Sequence, residues 1–408
     1  MKKIVVTGMG AVTPVGIGVE NYWNNITAGA SGIDTIKTFD PSELAVQIAG
    51  EVKDFNPSDY LPKDLIRKTD PFMQYAYIAA EEAMKQSAIK IEPERTGIVM
   101  GTAMAGIATI AYTQEALTGA SHKKVGPRFI PKILGNIAAA NIAIDYNIQG
   151  PNFTVSTACS SGGDAINTAC MCMQSGKADI MLAVGAESVL CPLVIYSLAN
   201  AKALSRRNDS PSTASRPFDV TRDGFVIGEG GGALVLETEE HALARGAKIY
   251  AEIRGCGNTD DAYHVTAPHP EGRGAIACMK QAIAEAGINP SDIGYINAHG
   301  TATNKGDTVE TSSIKKVFGN TLPYVSSTKG ATGHMMGAGG ITETITCVKA
   351  IETGTVPPTI NLNEVDPECA GIDFVANTAK KAEINFAMSN AFGFGGQNSS
   401  IIVGKYGK

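Results

Sequence analysis

The stretch that decides the fold is Val155–Ile166, which reads VSTACSSGGDAI. The β-branched run Phe153–Thr157 predicts a buried strand. Beyond this run, small and apolar residues recur on one side of a predicted helix, at Ala165, Ile166, Ala169, Cys170 and Met173. Cys159 therefore lies on a sharp turn between a strand and a helix.

That position gives the thiol of Cys159 a particular chemical setting. At a helix N-terminus, unpaired backbone N–H groups and the helix dipole stabilise an anion. We therefore expect this thiol to lose its proton more easily and to act as a nucleophile that carries an acyl group. Cysteine is more often a small buried hydrophobe, which is our interpretation of Cys170, Cys172 and Cys347. No catalytic context surrounds the other four, Cys191, Cys256, Cys278 and Cys369.

The composition is that of a globular protein long enough to need more than one simple domain, with 408 residues, 44% of them hydrophobic. A net charge of −6 argues against nucleic-acid or anionic-membrane partners. Eight scattered cysteines without a CxxC pair favour the reducing cytoplasm. The chain runs from Met1 directly into strand residues, and no stretch reaches the length of a membrane span, so we expect neither a targeting peptide nor a membrane.

The order of predicted elements indicates an α/β fold with two similar halves. Strands are predicted near residues 3–7, 96–100, 152–157, 180–185, 232–237, 251–255, 295–298, 324–326 and 400–403. Helices are predicted near residues 70–87, 164–175, 239–245, 274–286, 307–318 and 340–353. Each half opens on a strand followed by Gly-x-Gly, at Ile4–Gly10 and Ala251–Gly257. We predict a duplicated α/β unit with halves at 1–248 and 249–408.

The first Gly-x-Gly does not indicate a dinucleotide site. After Gly10 the sequence lacks the third glycine of that fingerprint, and Pro14 stands where the helix should begin.

Two of the six histidines lie in segments rich in glycine and threonine. His299 follows a predicted strand in NAHGTAT, and His334 ends the run STKGATGH. One such histidine is usually a satisfied turn residue, but two of them together with a cysteine on a turn favour a catalytic group. His122, His241, His264 and His269 are unassigned.

The chain resembles the β-ketoacyl-[acyl-carrier-protein] synthases of the thiolase superfamily over essentially its whole length. The motifs that carry the resemblance are VTGMG at 6–10, TACS at 157–160, SRPFD at 215–219, RDGFVIGEG at 222–230, NAHGT at 297–301, TKGATGH at 328–334 and SNAFGFGG at 389–396. The resemblance implies a thiolase-like fold, with two pseudo-duplicated halves in five layers, αβαβα.

The resemblance implies a Cys-His-His mechanism. Cys159 would accept an acyl group from a carrier-protein thioester, and the backbone N–H groups of Cys159 and Phe394 would form the oxyanion hole. Malonyl-carrier protein would then lose carbon dioxide, with His299 and His334 stabilising the enolate. The carbanion would attack the acyl group to give a 3-oxoacyl thioester, the elongation step of type II fatty acid biosynthesis. No redox cofactor is required.

Further roles follow from the same resemblance. Lys329 would orient groups around His334 and Glu343, and Thr301 and Thr303 would bind the phosphopantetheine arm. Phe394 would gate the acyl site beside Phe392. Asp307 and Glu310 would cap and position the helix that they open.

The resemblance also implies partners. These are acyl carrier protein and a second copy of the chain in a homodimer. Basic residues proposed to dock the acidic carrier are Arg67, Lys68, Lys123, Lys124, Arg128, Arg206 and Arg207. Oxygen-bearing side chains at Asn297, Glu343, Ser389 and Asn390 could hold a structural monovalent cation, and a hydrogen-bond network is the alternative.

Four features depart from the family pattern. Asp164 replaces the histidine or asparagine of many relatives, where it could serve as a charge at the helix start. Gln397 replaces a threonine, and Ser160-Ser161 also resembles polyketide synthases. Met104, after Ala103, is expected to shorten the acyl pocket and favour shorter chains.

Three other functions were compared with fatty-acid elongation. A stand-alone polyketide ketosynthase shares every catalytic residue and stays open as the alternative. A degradative thiolase would need a second active-site cysteine near the C-terminus, where this chain has Phe392 and Phe394. A non-catalytic partner subunit would usually lack the nucleophile.

Overall fold

The computed structural model describes residues 2–118 and 125–408. In the first half, the strands are β1 (Ile4–Thr13), β2 (Gly16–Ile17), β3 (Asp34–Thr35), β4 (Ile48–Ala49), β5 (Thr96–Gly101), β6 (Asn152–Val155), β7 (Ile180–Glu187) and β8 (Gly230–Thr238). The helices are α1 (Val19–Thr27), α2 (Lys63–Lys68), α3 (Pro71–Ser87), α4 (Ile107–Thr118), α5 (Phe129–Ile133), α6 (Asn136–Tyr146), α7 (Ser161–Gln174), α8 (Pro192–Asn200) and α9 (Glu239–Ala244).

The second half repeats the alternation of strands and helices. Its strands are β9 (Ala251–Asp260), β10 (Ile293–Asn297), β11 (Tyr324–Ser326), β12 (Thr355–Val356), β13 (Asp373–Phe374), β14 (Lys380–Lys381), β15 (Phe386–Phe392) and β16 (Gln397–Gly404). Its helices are α10 (Arg273–Ala286), α11 (Asn304–Phe318), α12 (Lys329–Thr332) and α13 (Gly339–Thr353).

The order of the strands confirms the predicted duplication. In the first half, neighbouring strands run β1-β8-β7-β5-β6, and in the second they run β9-β16-β15-β10-β11. Both halves have the same pattern of antiparallel and parallel pairs, and β1 pairs with β9 antiparallel to join them. Because this order and these directions are the same, one α/β plan is used twice.

The helices form three layers around these strands. Helix α3 packs on β1, β8 and β7, while α10 packs on β9 and β16. Helices α7 and α13 lie between the two halves, since they contact each other and strands of both halves. Residues 339–351 of α13 are all buried, as expected for the central layer of the predicted αβαβα fold.

The two central helices, α7 and α13, cross at glycine residues near their N-termini. A Cβ added to Gly340 would lie 2.4 Å from the backbone nitrogen of Gly163, and one added to Gly162 would lie 2.8 Å from the carbonyl oxygen of Gly337. Only a missing side chain permits this approach. The N-termini of α7 and α13 are therefore held in backbone contact.

The paired Gly-x-Gly segments lie within the first strand of each half and serve packing, which corrects the prediction that they follow these strands. Gly8 and Gly10 lie inside β1, and Gly255 and Gly257 lie inside β9. A Cβ on Gly10 would be 1.9 Å from the carbonyl oxygen of Ala79 in α3, and one on Gly257 would be 2.1 Å from that of Cys278 in α10. Each half uses its glycines to seat its outer helix on its first strand.

Two predictions of strands differ from the structure. The run Phe153–Thr157 is not a buried strand, because β6 is the outer strand of its half and Asn152 and Phe153 are exposed. Strand β15 was missed, although it lies between β10 and β16; its mixed residues, FAMSNAF, lack a clear alternation. The predicted stop after residue 286 is confirmed, with Gly287 in the left-handed conformation at φ 66°. Within the described residues, no helix is both long enough and apolar enough to cross a bilayer.

Candidate active site

Cys159 lies at the N-terminus of α7, as predicted. Strand β6 ends at Val155, residues 158–160 form one turn of 3₁₀ helix, and α7 begins at Ser161. Ala158 has the left-handed φ of 50° that turns the chain sharply before the cysteine. The thiol is buried, and its sulfur faces the second half of the chain.

Of the two histidines predicted as catalytic, His334 contacts this sulfur and His299 packs against His334. Nε2 of His334 is 2.9 Å from Sγ of Cys159. The ring of His299 stands edge-on to that of His334, with 5.3 Å between centroids. Phe225 packs against the His334 ring at 5.4 Å and Phe392 against the His299 ring at 5.8 Å, so aromatic side chains hold both imidazoles in place.

Burial governs ionisation in this site. It raises the pKa of Cys159 to about 12, although Lys329 and the backbone N–H of Phe394 lower it. The expectation of an easily ionised thiol is therefore corrected: helix position alone does not offset desolvation. Burial, and after it the charge of Lys329, hold the pKa of both His299 and His334 well below the usual value. Both imidazoles are neutral near pH 7, so His334 can accept the thiol proton.

Lys329 is buried and pairs with Glu343. Its ammonium group forms an ion pair with Oε1 of Glu343, and the backbone carbonyl of Lys329 accepts a hydrogen bond from Oγ of Ser215 at 2.7 Å. Burial raises the pKa of Glu343, and the charge and hydrogen bond of Lys329 oppose that shift. The pair places a fixed positive charge close to both histidines.

Glu310 and Asp307 hold the loop that carries His299. Glu310 accepts the backbone N–H of His299 at 2.9 Å and that of Gly300 at 2.8 Å, while Asp307 accepts that of Ala302 at 3.1 Å. They thus bind the loop before α11, whereas we expected caps of the helix itself. Burial raises the pKa of Glu310 to about 7 and that of Asp307 to about 6.

The residues predicted to bind substrate lie on segments next to Cys159 or His299. The hydroxyls of Thr301 and Thr303 are 3.0 Å apart, on the loop that follows His299. The side chain of Phe394 is 41% exposed, although its backbone reaches the thiol. Met104 is partly buried and packs against the apolar cluster that includes Cys159.

The predicted basic residues that the structure describes fall into two groups. Arg67 and Lys68 lie 3.0 Å and 3.8 Å from carboxylate oxygens of Asp64, and Arg67 and Arg128 line one cleft. Arg206 and Arg207 lie beside Asp223, which accepts the Arg206 backbone N–H. Lys123 and Lys124 lie outside the described residues.

The four residues predicted around a cation are all buried. Within the described part of the chain, Oδ1 of Asn297 and Oε2 of Glu343 have no hydrogen-bond partner. Oδ1 of Asn390, in contrast, accepts a hydrogen bond from Ser400 at 2.8 Å. Asn297 and Glu343 therefore offer free oxygen ligands of the kind a monovalent cation takes, while Asn390 is already satisfied.

Glu187 was missed by the sequence analysis. Its buried carboxylate accepts the backbone N–H groups of Ala103 at 2.6 Å, Met104 at 3.0 Å and Gly337 at 3.1 Å. It thus ties the loop that carries Met104 to the segment just after His334. The available signal was a single acidic residue at the end of the otherwise apolar strand β7.

Comparison with known proteins identifies the class of this fold and site. The β-ketoacyl synthase N-terminal domain matches residues 1–242 and the C-terminal domain matches residues 250–363. The chain belongs to the β-ketoacyl synthase family.

Individual relatives sharpen this assignment. The chain is 44% identical over 409 residues to 3-oxoacyl-[acyl-carrier-protein] synthase 2 of Coxiella burnetii, covering 99% of each. A β-ketoacyl synthase from Burkholderia phymatum STM815 superposes with a TM-score of 0.92 at 33% identity, over 99% of this chain and 100% of the other. The ketosynthase of AntDE:AntF, solved with its type II polyketide acyl-carrier protein and bound to the hexaketide, gives a TM-score of 0.89 at 33% identity over 99% of each.

Proposed function

We propose that this protein elongates acyl chains in type II fatty acid biosynthesis. It condenses an acyl group held on Cys159 with malonyl-acyl carrier protein and releases 3-oxoacyl-acyl carrier protein and carbon dioxide. The observation that carries this proposal is the contact of 2.9 Å between Cys159 Sγ and His334 Nε2, with His299 against the same imidazole. A thiol, its base and a second imidazole are the parts that a carbon–carbon condensation through a thioester requires.

The first half-reaction moves the acyl group to the enzyme. His334 takes the thiol proton, and the sulfur attacks the carbonyl carbon of the acyl-carrier thioester. The backbone N–H groups of Cys159 and Phe394 donate hydrogen bonds that stabilise the oxyanion of the tetrahedral intermediate. Collapse of the intermediate releases the carrier thiol, which takes a proton, and leaves acyl-Cys159.

The second half-reaction makes the new bond. Malonyl-carrier protein loses carbon dioxide, and the electron pair of the broken bond becomes an enolate. Once Cys159 is acylated, its sulfur no longer offers a proton to Nε2 of His334. The ring proton of neutral His334 can then move from Nδ1 to Nε2, so that Nε2–H groups of both His299 and His334 donate hydrogen bonds to the enolate oxygen. The enolate carbon attacks acyl-Cys159, and the thiolate leaves and is reprotonated. Lys329 supports this step through its fixed charge.

The remaining residues position the substrates. Thr301 and Thr303 bind the phosphopantetheine arm, and the Phe394 ring beside Phe392 gates access to the thiol. Met104 ends the acyl pocket. If a structural cation binds, Asn297 and Glu343 supply its free oxygens; Ser389 and Asn390 complete the proposed set, and no catalytic step depends on the ion.

Acyl carrier protein is the proposed partner, supported by the carrier complex of the AntDE:AntF ketosynthase. Its acidic helix would dock on Arg67, Lys68 and Arg128, with Arg206 as a second contact. Lys124 belongs to the proposed set on sequence grounds. Asp64 neutralises part of the first group, so we expect a modest contribution from each cation.

We propose that two copies of the chain form a homodimer, with the outer face of the first half as the interface. β6 pairs with β5 on one side, and within the described residues its other edge has no partner strand. Phe153 on this strand is 48% exposed, and Ile144 on α6 and Ile130 on α5 are 75% and 56% exposed. An exposed apolar edge of this kind is a favoured surface for a second chain to cover. The cytoplasm is the proposed compartment, supported by eight free cysteines.

A polyketide ketosynthase is the second candidate, favoured by the resemblance to the AntDE:AntF ketosynthase at 33% identity. The identity of 44% to the Coxiella enzyme places fatty-acid elongation first.

The test is a reconstituted reaction followed by mass spectrometry. Saturated acyl-carrier donors of graded length should add one acyl mass at Cys159, and malonyl-carrier protein should then release a product two carbons longer. Cys159→Ala should show neither event. Cys191→Ala, which changes a buried cysteine outside the group of Cys159, His299 and His334, should show both. Repeated condensation to poly-β-keto products would establish the polyketide alternative. A wild-type protein that accepts no acyl group would refute both functions.

A further inference from the structure

Asp164 has a buried carboxylate with an unusual set of partners. It lies in the first turn of α7 and is 5% exposed. Its Oδ2 accepts a hydrogen bond from Oγ1 of Thr157 at 2.5 Å and shares the hydroxyl hydrogen of Ser160, 3.1 Å away, with the carbonyl oxygen of Thr157, which lies 2.8 Å from the same Oγ. Its Oδ1 accepts one from Nδ2 of Asn258 at 2.7 Å. All three donors are neutral, and among the residues that the structure describes Asp164 forms no ion pair.

The two hydroxyls that share Oδ2 lie on either side of Cys159 in the chain. One carboxylate oxygen therefore closes the turn from its first residue to its last, around the cysteine. Ser161 supports the same turn from the backbone, because its Oγ accepts the N–H of Thr157 at 2.9 Å and donates to the carbonyl of Ala158 at 2.6 Å. The left-handed Ala158 needs such support to persist.

The third bond reaches the other half of the molecule. Asn258 lies in β9, the first strand of the half that carries His299 and His334. The bond between Asp164 and Asn258 thus anchors the cysteine turn to the half that carries the histidines. The helix dipole and three donors stabilise the buried carboxylate, so the anchor is maintained without a cation.

We propose that Asp164 is a positioning residue that holds Sγ of Cys159 against Nε2 of His334, by fixing the turn through Thr157 and Ser160 and tying it to Asn258. The inference rests on the proposed function for its effect on acyl transfer, but the geometry that it assigns belongs to the thiol alone. Asp164 touches no reacting atom and acts through the turn.

The test measures Cys159 reactivity in two ways on the full-length chain. Alkylation by iodoacetamide, followed by intact mass and peptide mapping, needs no carrier protein. Because burial keeps the thiol protonated, its alkylation depends on His334 and should slow by about tenfold or more in Asp164→Ala, as displaced reacting groups do. Single-turnover acylation from an acyl-carrier donor should slow by a similar factor, with the KM for malonyl-carrier protein unchanged.

A reciprocal exchange separates positioning from simple loss of stability. Asp164→Asn combined with Asn258→Asp restores an amide–carboxylate bond across the two halves and leaves an oxygen at 164 for the two hydroxyls. The double variant should recover most of the alkylation rate lost in Asp164→Asn. Glu237→Gln is the matched control, since Glu237 is a buried carboxylate that accepts the hydroxyl of Thr7 in β1 and pairs with Arg245. It should lower thermal stability without changing alkylation.

Two results would overturn the inference: wild-type alkylation in a folded Asp164→Ala protein, or no recovery in the exchanged pair. If Asp164→Ala does not fold, Thr157→Val and Asn258→Ala each remove one donor and should each slow alkylation; wild-type rates in both overturn it equally. A wild-type protein that is alkylated normally but never acylated by a carrier would refute the proposed function and leave the role of Asp164 standing.

Discussion

Cys159 and His334 occupy equivalent places in the two halves. Helix α7 follows β6, and α13 follows β11, at the same position of the repeated strand order. In the first half, residues 156–160 lead directly from strand to helix and present the thiol on the turn. In the second, residues 327–338 form a longer connection that includes α12 and carries both Lys329 and His334. The longer connection lets one half reach across to the nucleophile of the other.

The two connections are also stabilised differently. Hydroxyls and one carboxylate hold the cysteine turn, whereas a buried ion pair and an aromatic ring surround His334. Divergence between equivalent segments therefore produced two roles, a thiol that is acylated and an imidazole that moves its proton. Substitutions in one connection at a time test this difference.

The largest effect is expected from variants that remove one of the two histidines at a time. His334→Ala removes the group that contacts Sγ, so acylation of Cys159 should fall by about 10²- to 10⁴-fold. His299→Ala leaves that contact in place, so acylation should persist while condensation falls by a similar factor. Single-turnover acylation and steady-state condensation, measured separately, check this. Equal losses of acylation in both variants would show that the histidines do not divide the work.

Lys329→Met tests the ion pair on the histidine side. It leaves the Glu343 carboxylate buried and unpaired, which should cost about 3–5 kcal/mol of unfolding free energy in urea. Lys329→Met with Glu343→Leu removes both charges and should recover most of that stability, but not turnover. An unchanged unfolding midpoint in the single variant would contradict the assigned burial.

The free energy of unfolding between pH 7.5 and 5.5 reports the burial of His334. An unfolded imidazole titrates near pH 6.5, whereas burial, and secondarily Lys329, keep the folded pKa of His334 well below that value. As the pH falls through 6.5, the unfolded chain takes up a proton that the folded chain does not, so folding loses stability. By pH 5.5 this loss should reach about 1.4 kcal/mol. Urea unfolding of His334→Gln at pH 7.5 and 5.5 should lack this increment, and an identical pH dependence in both proteins would refute it.

The smallest effect is expected at Met104, the proposed end of the acyl pocket that leads to Cys159. Met104→Gly should lengthen the acyl pocket and shift the preferred donor by about two to four carbons, since each buried methylene contributes about 0.8 kcal/mol. Turnover with short donors should change little. Profiling with graded acyl-carrier donors checks this, and identical profiles would exclude Met104 as the end of the pocket.

The sequence predicted the repeated fold and the turn at Cys159 because strong local signals mark both. These signals are the paired glycines of each half, the β-branched runs and the helix stop at Gly287. Each can be recognised from residues that are neighbours in the sequence. It did not predict β15, whose place between β10 and β16 is set by partners distant in the chain. Glu187 and the link from Asp164 to Asn258 were missed for the same reason. The high pKa of the thiol depends on burial, which a local pattern does not report.

The glycine crossing of α7 and α13 has a consequence for how this enzyme can vary. Because Gly163 and Gly340 meet backbone to backbone, the main chain itself sets the spacing between the helix starts that follow Cys159 and His334. Side-chain substitutions elsewhere can reshape what the protein accepts, but they have little means of widening or narrowing that gap. The spacing of the catalytic groups is therefore expected to stay constant, whereas selectivity can change at the end of the acyl pocket near Met104 and at the basic residues proposed to dock the carrier.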